Sequence, residues 1–318
     1  MTHEPYMLRY RWANLMLHGA LFVAALCLYT STLNADVQPA DSGEFQIAAI
    51  KLGIPHPPGY PLYTMLGWLF AQAPVGSPFA RVSFLSVIAS ALTLVLVSLT
   101  TQRLILSQPT YAGAVISDDA RSFLVSLGAG LLAALALGTS TTFWAQATTT
   151  NIRSLTALFT ALMLYAAVQL YNAVRSPSVY ARRIHPVLLF ALALGLGVGH
   201  HVSLVFVGGV LGILVLSLMM RGTLGWRSVA GALGLLALTQ LVWLYLPIRD
   251  AAGARFAPGN LTSLNGLLFH IFARGFAGDM LAFAAPEYLF DRLSILPTLV
   301  LFEFSWPVLV GALLGALG

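Results

Sequence analysis

Long apolar segments separated by short polar ones run along most of the chain. The first, about Asn14 to Leu33, has the ~20 residues that a helix needs to cross a bilayer. The same pattern predicts further spanning helices at about Val82–Leu104, Ser122–Phe143, Ile152–Val174, Pro186–Gly199, Val202–Met220, Ser228–Leu246 and Ile295–Leu317. Outer-membrane barrels show short alternating segments instead. We therefore predict an all-α polytopic membrane protein, a bundle of about eight transmembrane helices.

The composition supports this class. Of the 318 residues, 58% are hydrophobic and 8% are charged, whereas a soluble domain has about 25% charged residues. These values exclude a soluble enzyme, a disordered chain and a coiled coil. The single cysteine, Cys27, excludes a disulfide scaffold. Although the net charge is +5, the basic residues form no cluster with aromatic ones, so we predict no nucleic-acid partner.

The arginines orient the predicted helices. Arg9 and Arg11 precede the first helix, so the positive-inside rule places the N-terminus in the cytoplasm. The segment Pro61–Pro74 is apolar but short, and we expect it to lie in the interface or to re-enter the membrane. With that choice the arginines of later connections share the cytoplasmic side, namely Arg103, Arg121, Arg175, Arg182, Arg183, Arg221 and Arg227. Lys51 is the only lysine, which, with much Ala, Leu and Gly, indicates a GC-rich bacterial genome. We therefore expect the protein in the cell inner (plasma) membrane.

Two long loops fall on the outer side in this topology, at about residues 35–81 and 249–293. In the second, apolar residues at helical spacing over Thr262–Phe276 predict an amphipathic surface helix, with His270 and Arg274 four residues apart. The sequence has no internal repeat, so we expect residues 1–318 to form a single transmembrane domain. It stops inside an apolar segment, as expected for the N-terminal portion of a longer protein.

The first outer loop carries the most specific motif. Asp41-Ser-Gly-Glu44 opens an amphipathic segment, and one interpretation is a capping box in which Asp41 is the N-cap and Glu44 bonds back to it. A second interpretation is that Asp41 accepts a proton from a bound hydroxyl group, and the two are compatible. Prolines and glycines then impose a rigid, non-helical path on the segment that holds His56, Pro57, Pro58, Gly59, Tyr60 and Tyr63.

This motif, DSGE followed by LGIPHPPGYPLY, resembles the signature of a large membrane family, formerly a domain of unknown function, whose animal member is a protein O-mannosyltransferase. Later landmarks of that family have similar counterparts at Phe143-Trp144, His200-His201, Tyr245-Leu-Pro-Ile-Arg249, His270 and Arg274. The resemblance covers about Asn34 to Arg274 and implies the GT-C glycosyltransferase fold. At Asn151-Ile-Arg153 the chain departs from the family, which usually has an acidic-aromatic pair there.

The resemblance implies that a hexose, mannose or another, passes from a polyprenyl-phosphate carrier to an acceptor on the outer face. Its partners would be membrane lipid, this lipid-linked donor and a protein or glycan acceptor, with no other cofactor required. The acceptor hydroxyl needs a base, which the resemblance assigns to Asp41, with Glu44 second. The leaving phosphate needs cations or imidazoles, and the candidates are His200, His201, Arg249, His270 and Arg274. Attack opposite the leaving phosphate implies inversion at the sugar carbon.

Several candidates have simpler explanations that the sequence leaves open. His200 and His201 fit a helix C-terminal cap, and they lack a third ligand at useful spacing, so no metal is predicted. Arg249 fits an interfacial anchor, and Glu303, inside the last predicted span, fits a partner of an arginine. For the whole chain, the alternatives are a secondary transporter, which would show paired repeats, and a non-catalytic scaffold of the same fold.

Overall fold

The computed structural model describes residues 10–107, 119–175, 184–220, 225–278 and 286–317. Part of the second predicted loop lies outside these residues, as do four arginines: Arg9, Arg182, Arg183 and Arg221. The sides of the membrane on which they lie stay predictions. Fourteen α-helices lie within the described residues. In chain order they are α1 (Arg11–Ser31), α2 (Ala40–Lys51), α3 (Pro61–Ala71), α4 (Pro78–Leu106), α5 (Asp119–Gly138), α6 (Thr141–Ala147), α7 (Arg153–Arg175), α8 (Ile184–His200), α9 (Leu204–Met220), α10 (Trp226–Thr239), α11 (Tyr245–Ala251), α12 (Leu264–Ile271), α13 (Leu289–Glu303) and α14 (Trp306–Leu317).

Most of the long helices are apolar enough to cross a membrane. Five helical stretches of the described chain meet the length and hydropathy of a span: α1, α4, α5, α7 and the run Trp226–Ala251, which contains α10 and α11. A bent pair made of α13 and α14 raises the number to six. The chain is therefore an all-α, multi-pass membrane protein, as predicted. The predicted number of about eight spans also requires the shorter helices α8 and α9 to cross, and it stays a prediction.

The segment Pro61–Pro74 forms a short helix, α3, of 11 residues. At about 1.5 Å per residue it is roughly 16 Å long, whereas the hydrocarbon core is about 30 Å thick. It is therefore too short to cross the bilayer as a helix, in agreement with the expectation from the sequence. Helix α3 packs against α2 and α4, where Gly67 closely approaches Ala49 and Val82.

The span predicted at Ile295–Leu317 is broken into two helices, α13 and α14. The axes of α13 and α14 differ by 108°, and Phe304 between them has an extended backbone. No arginine pairs with Glu303 among the described residues. Its carboxylate accepts hydrogen bonds from the backbone N–H of Thr142, at 3.0 Å, and from the Thr142 hydroxyl. Hydropathy does not reveal this break because the residues on both sides of it are apolar.

Helix α4 lies at the centre of the bundle and packs against α1, α5 and α7. Small and polar residues fill much of its buried surface, which permits close helix packing in a membrane. The ends of several helices meet at one end of the bundle: α1 and α8 end there, while α4 and α7 begin there. We call this the site end, because the loop between α1 and α4 folds over it.

Candidate active site

The two acids of the DSGE motif have different surroundings. Helix α2 begins at Ala40, and its N-cap, Pro39, makes no side-chain cap bond. Asp41 therefore lies inside the first turn, and Glu44 bonds to His56 instead of closing the turn. The capping-box interpretation is wrong, because Glu44 has a partner twelve residues further along the chain.

Glu44 uses both of its carboxylate oxygens to hold His56. The backbone N–H of His56 donates to Glu44 Oε1 at 2.7 Å, and Nδ1 of the imidazole lies 2.6 Å from Oε2. On the other side of the ring, the Tyr60 hydroxyl lies 3.4 Å from Nε2 of His56. The phenyl ring of Phe45 packs against both His56 and Tyr60. This arrangement fixes the position and orientation of the imidazole.

Asp41 is exposed at the same place. Its carboxylate and ligand atoms of Glu44 and His56 all lie within 4.8 Å of one another. Among the described residues, no hydrogen bond or ion pair joins the Asp41 side chain to the protein. Asp41 is therefore the carboxylate of this cluster that is available to a bound molecule. We call Asp41, Glu44 and His56 the acid–imidazole cluster.

The second predicted loop braces the segment that carries His56. Arg249 Nε donates to the Leu52 carbonyl at 2.8 Å, and the Tyr245 hydroxyl donates to the Gly53 carbonyl at 2.7 Å. The N–H of Ile54 donates to the carbonyl of Arg255 at 2.9 Å. The backbone of Leu52 is left-handed (φ 49°), which costs about 1–2 kcal/mol for a residue other than glycine. These bonds help to hold that conformation.

The turn at Pro57, Pro58 and Gly59 leads into α3. The N–H of Gly59 donates to the His56 carbonyl at 2.9 Å. A Cβ at Gly59, where φ is +88°, would lie 3.0 Å from Nε2 of His270 and 2.8 Å from Leu246. Glycine is therefore required here for both conformation and space.

The predicted helix Thr262–Phe276 is shorter in the structure. Helix α12 ends at Ile271, Ala273 has a left-handed backbone, and Arg274 begins a separate 3-10 turn. His270 is 7% exposed and faces Gly59, whereas Arg274 is exposed. The two residues therefore do not share one helical face. Burial lowers the pKa of His270, although its bond to the Pro55 backbone and the charge of Asp250 oppose this shift.

The two adjacent histidines also have different surroundings. His200 is fully buried, and its Nε2 lies 2.9 Å from the carbonyl of Ile152 and 3.1 Å from the Thr156 hydroxyl. It joins the end of α8 to the start of α7. His201 is half-buried, with its ring stacked on Tyr60 at 5.8 Å and Nδ1 near the Ser203 hydroxyl. Burial lowers its pKa. His201, unlike His200, therefore lies next to the acid–imidazole cluster.

The departure at Asn151–Arg153 has a structural explanation. The side-chain oxygen of Asn151 accepts from the N–H groups of Arg153 at 2.8 Å and Ser154 at 3.1 Å, so it caps α7. Arg153 is exposed and acts on the cluster: burial and the charges of Asp41 and Glu44 raise the pKa of Tyr60 to about 12, while the charge of Arg153 opposes them. In the sequence Arg153 stands out only as a departure from the family, which gives no sign of this electrostatic interaction.

A buried amide network was also missed. Gln38 and Gln46 are 5% and 0% exposed, and the N–H of Gln38 donates to Oε1 of Gln46 at 3.0 Å. Oε1 of Gln38 accepts from the N–H of Thr150, and Nε2 donates to the Ser83 hydroxyl. The network ties the first loop to α4 and to the turn before α7. Two glutamines in a polar loop give no signal of burial, so the sequence could not reveal it.

Comparison with known proteins identifies the family. Residues 41–223 match the family model of the protein O-mannosyl-transferase TMEM260 N-terminal domain. The chain belongs to this family. The TMEM260 match begins at Asp41 and includes the whole acid–imidazole cluster, together with Arg153 and His201. Arg249, His270 and Arg274 lie beyond it.

Two curated relatives carry the TMEM260 name. The mouse protein O-mannosyl-transferase TMEM260 is 29% identical over 284 residues, which are 85% of this chain and 36% of the relative. Protein O-mannosyl-transferase tmem260 of Dictyostelium discoideum is 31% identical over 83 residues, 25% of this chain and 10% of the relative. The chain thus spans about a third of the mouse relative's length. No solved structure matches the chain.

Proposed function

We propose that this chain is the membrane domain of a glycosyltransferase that moves a hexose from a polyprenyl-phosphate carrier to a hydroxyl group of a protein acceptor. Membership of the TMEM260 family supports this proposal, as do its relatives, which are named protein O-mannosyl-transferases. The observation that carries it is the acid–imidazole cluster, in which the Glu44 carboxylate bonds to His56 while the Asp41 carboxylate is exposed.

Asp41 is the base in this proposal. A general base must reach the hydroxyl that it deprotonates, and the Asp41 carboxylate is exposed without a bonding partner among the described residues. Glu44 serves as a positioning residue, because both of its oxygens hold His56. Of the two acids, Glu44 is therefore the weaker candidate for proton transfer.

Arg153 and His201 are the groups proposed to meet the leaving phosphate. The charge of Arg153 acts on Tyr60, and His201 stacks on the same ring. A guanidinium group binds phosphate with two parallel hydrogen bonds. Arg249 instead donates to the Leu52 carbonyl, and no described contact joins Arg274 to the cluster. His270 lies behind Gly59, and His200 is buried, so both are assigned positioning roles.

The remaining parts of the proposal concern the lipid and the membrane. The lipid tail would lie against the apolar, membrane-exposed helices beside the site end. Arg11, Arg103, Arg121 and Arg175 lie at the opposite ends of their helices, and the positive-inside rule places those ends in the cytoplasm. The site end then faces outward. Phosphate departure opposite the attacking hydroxyl inverts the configuration of the sugar carbon.

The test is transfer of radiolabelled hexose from synthetic polyprenyl phosphate-mannose and polyprenyl phosphate-glucose to serine- and threonine-containing peptides. The purified chain in liposomes is expected to label peptide with at least one donor. Asp41→Asn should lower the rate by roughly 10²–10⁴-fold, the usual contribution of a general base. Asp36→Asn is the matched control, because Asp36 is exposed in the same loop and should leave the rate unchanged.

Peptide labelling by Asp41→Asn at the parental rate would contradict the assignment of the base. An absence of transfer with every donor and acceptor, from a chain that is folded by circular dichroism, would favour the scaffold alternative.

A further inference from the structure

We propose that Asp41, Glu44 and His56 bind one divalent cation of the manganese–zinc class. Cation binding stands on the geometry of the cluster alone, whereas a part for the cation in sugar transfer rests on the proposed function. Two carboxylates and one imidazole are the oxygen and nitrogen donors that such ions take, while calcium prefers sites made only of oxygen.

The distances fit a cation with small side-chain movements. One ligand atom from each residue lies within 4.8 Å of the other two. Metal–ligand bonds of about 2.0–2.2 Å place two ligand atoms roughly 3–4.4 Å apart, so the three donors are already near their required separations. Nδ1 of His56 and Oε2 of Glu44, at 2.6 Å, would separate slightly as the cation replaces the hydrogen between them.

The residues around the cluster orient the ligands in advance. The backbone N–H of His56 holds Oε1 of Glu44 and leaves Oε2 to the cation. The Tyr60 hydroxyl faces Nε2 of His56, on the opposite side of the ring from the proposed ligand atom, Nδ1. Metal-binding histidines usually have such a partner for the second ring nitrogen, and it fixes the direction of the ring.

The buried His270 lies next to the turn that follows His56. His270 is 7% exposed, yet its Nε2 has no hydrogen-bond partner within the described parts of the chain. This nitrogen faces Gly59, and His270 interacts electrostatically with His56. A buried polar atom without a partner is uncommon and requires an explanation. A water molecule on the cation would supply that hydrogen-bond partner.

The site leaves coordination positions open. Three protein ligands and one or more open positions are typical of catalytic rather than structural metal sites. An oxygen of the donor phosphate is the natural occupant, because the positive charge of Arg153 acts on Tyr60 beside the cluster. A carboxylate has two oxygens, so Asp41 can bind the cation with one and face the acceptor hydroxyl with the other.

The direct test is titration of the chelator-treated, purified chain with MnCl₂, with the unbound ion followed by electron paramagnetic resonance. We expect one Mn²⁺ per chain, displaced by ZnCl₂. Asp41→Asn, Glu44→Gln and His56→Gln should each weaken binding by about tenfold or more, since even second-shell changes cost about 10–100-fold. Asp41→Asn is the decisive variant, because the Asp41 side chain bonds to none of the residues that the structure describes.

The controls are Asp36→Asn and Glu287→Gln, which remove exposed carboxylates outside the cluster and should bind like the parent. The proposal is overturned if neither Mn²⁺ nor Zn²⁺ binds saturably, or if Asp41→Asn and Glu44→Gln bind with parental affinity. If the chelated chain binds no Mn²⁺ but still transfers sugar, the cation proposal is rejected and the proposed function stands. If the chain binds Mn²⁺ but transfers no sugar, the proposed function is rejected and cation binding stands.

Discussion

At the scale of single residues, the structure separates side chains that are neighbours in the sequence. Asp41 and Glu44 belong to one motif, but one is exposed and the other holds His56. His200 and His201 are adjacent, but one is buried under α7 and the other stacks on Tyr60. The motif is compact in the sequence, and Asp41, Glu44 and His56 lie together in the structure, although the sequence did not predict this cluster. It could not distinguish their roles, since those depend on partners as far away as Tyr60 is from His201, 141 residues along the chain.

The first prediction concerns the phosphate. Arg153→Gln should weaken binding of polyprenyl phosphate by roughly tenfold or more, because a charged hydrogen bond contributes about 1.5–3 kcal/mol. Arg274→Gln is the matched control and should bind like the parent. The measurement is a fluorescence titration with a labelled polyprenyl phosphate. Equal affinity of Arg153→Gln and the parent would contradict the assignment, and a loss only in Arg274→Gln would favour the candidate from the sequence.

The second prediction concerns pH. Burial lowers the pKa of both His201 and His270, so the folded chain keeps these rings neutral where the unfolded chain protonates them. Their neutral forms therefore contribute full stability above the unfolded value of about 6.5, and the contribution is lost as the pH falls below it. The temperature at the midpoint of thermal unfolding should decrease when the pH is lowered from 7.5 to 5.5. For His270→Gln this decrease should be smaller, and a decrease equal to that of the parent would refute the explanation.

At the scale of elements, hydropathy predicted the long helices because each apolar run has enough residues to cross the bilayer as a helix. Helices α1, α4, α5 and α7 lie close to the predicted positions. Shorter elements were less predictable. The end of α12 at Ile271 and the break after Glu303 depend on local backbone conformation and on a bond to Thr142, and neither changes the apolar pattern. The bracing of residues 52–54 by residues 245–255 is equally invisible to a periodicity argument.

The third prediction tests that bracing. Tyr245→Phe keeps the ring and removes the hydroxyl that donates to the Gly53 carbonyl. It should lower the free energy of unfolding by about 1 kcal/mol, the usual net value of such a bond. Amide hydrogen exchange at Gly53 and Ile54 should become faster. Tyr288→Phe, at an exposed tyrosine, is the control, and unchanged exchange in Tyr245→Phe would show that the bond does not hold the loop.

At the scale of the whole molecule, the described parts of the chain form a bundle with two different ends. The site end carries the acid–imidazole cluster, and the opposite end carries most of the arginines of the long helices. The sequence predicted this polarity from charge alone, since helices that alternate in direction send alternate connections to the same side. Which end faces the cytoplasm is not a property of the packed helices and requires an experiment.

The fourth prediction is the orientation in the membrane. In a Cys27→Ser background, Ser107→Cys at the end of α4 should react with an impermeant maleimide only after the membrane is opened. Asp36→Cys in the first loop should react in intact cells. The measurement is labelling before and after permeabilisation. Labelling of Ser107→Cys in intact cells would reverse the topology and place the cluster on the cytoplasmic side.

The bracing of the first loop has a consequence for biosynthesis. A ribosome makes Asp41, Glu44 and His56 early, but Tyr245, Arg249 and Arg255 about two hundred residues later. Until those residues emerge, Leu52 and Gly53 lack the bonds that hold their backbone. The two acids and the imidazole are therefore synthesised long before the residues that brace their loop. The nascent protein acquires its cluster in final form only when the last quarter of this sequence has been translated.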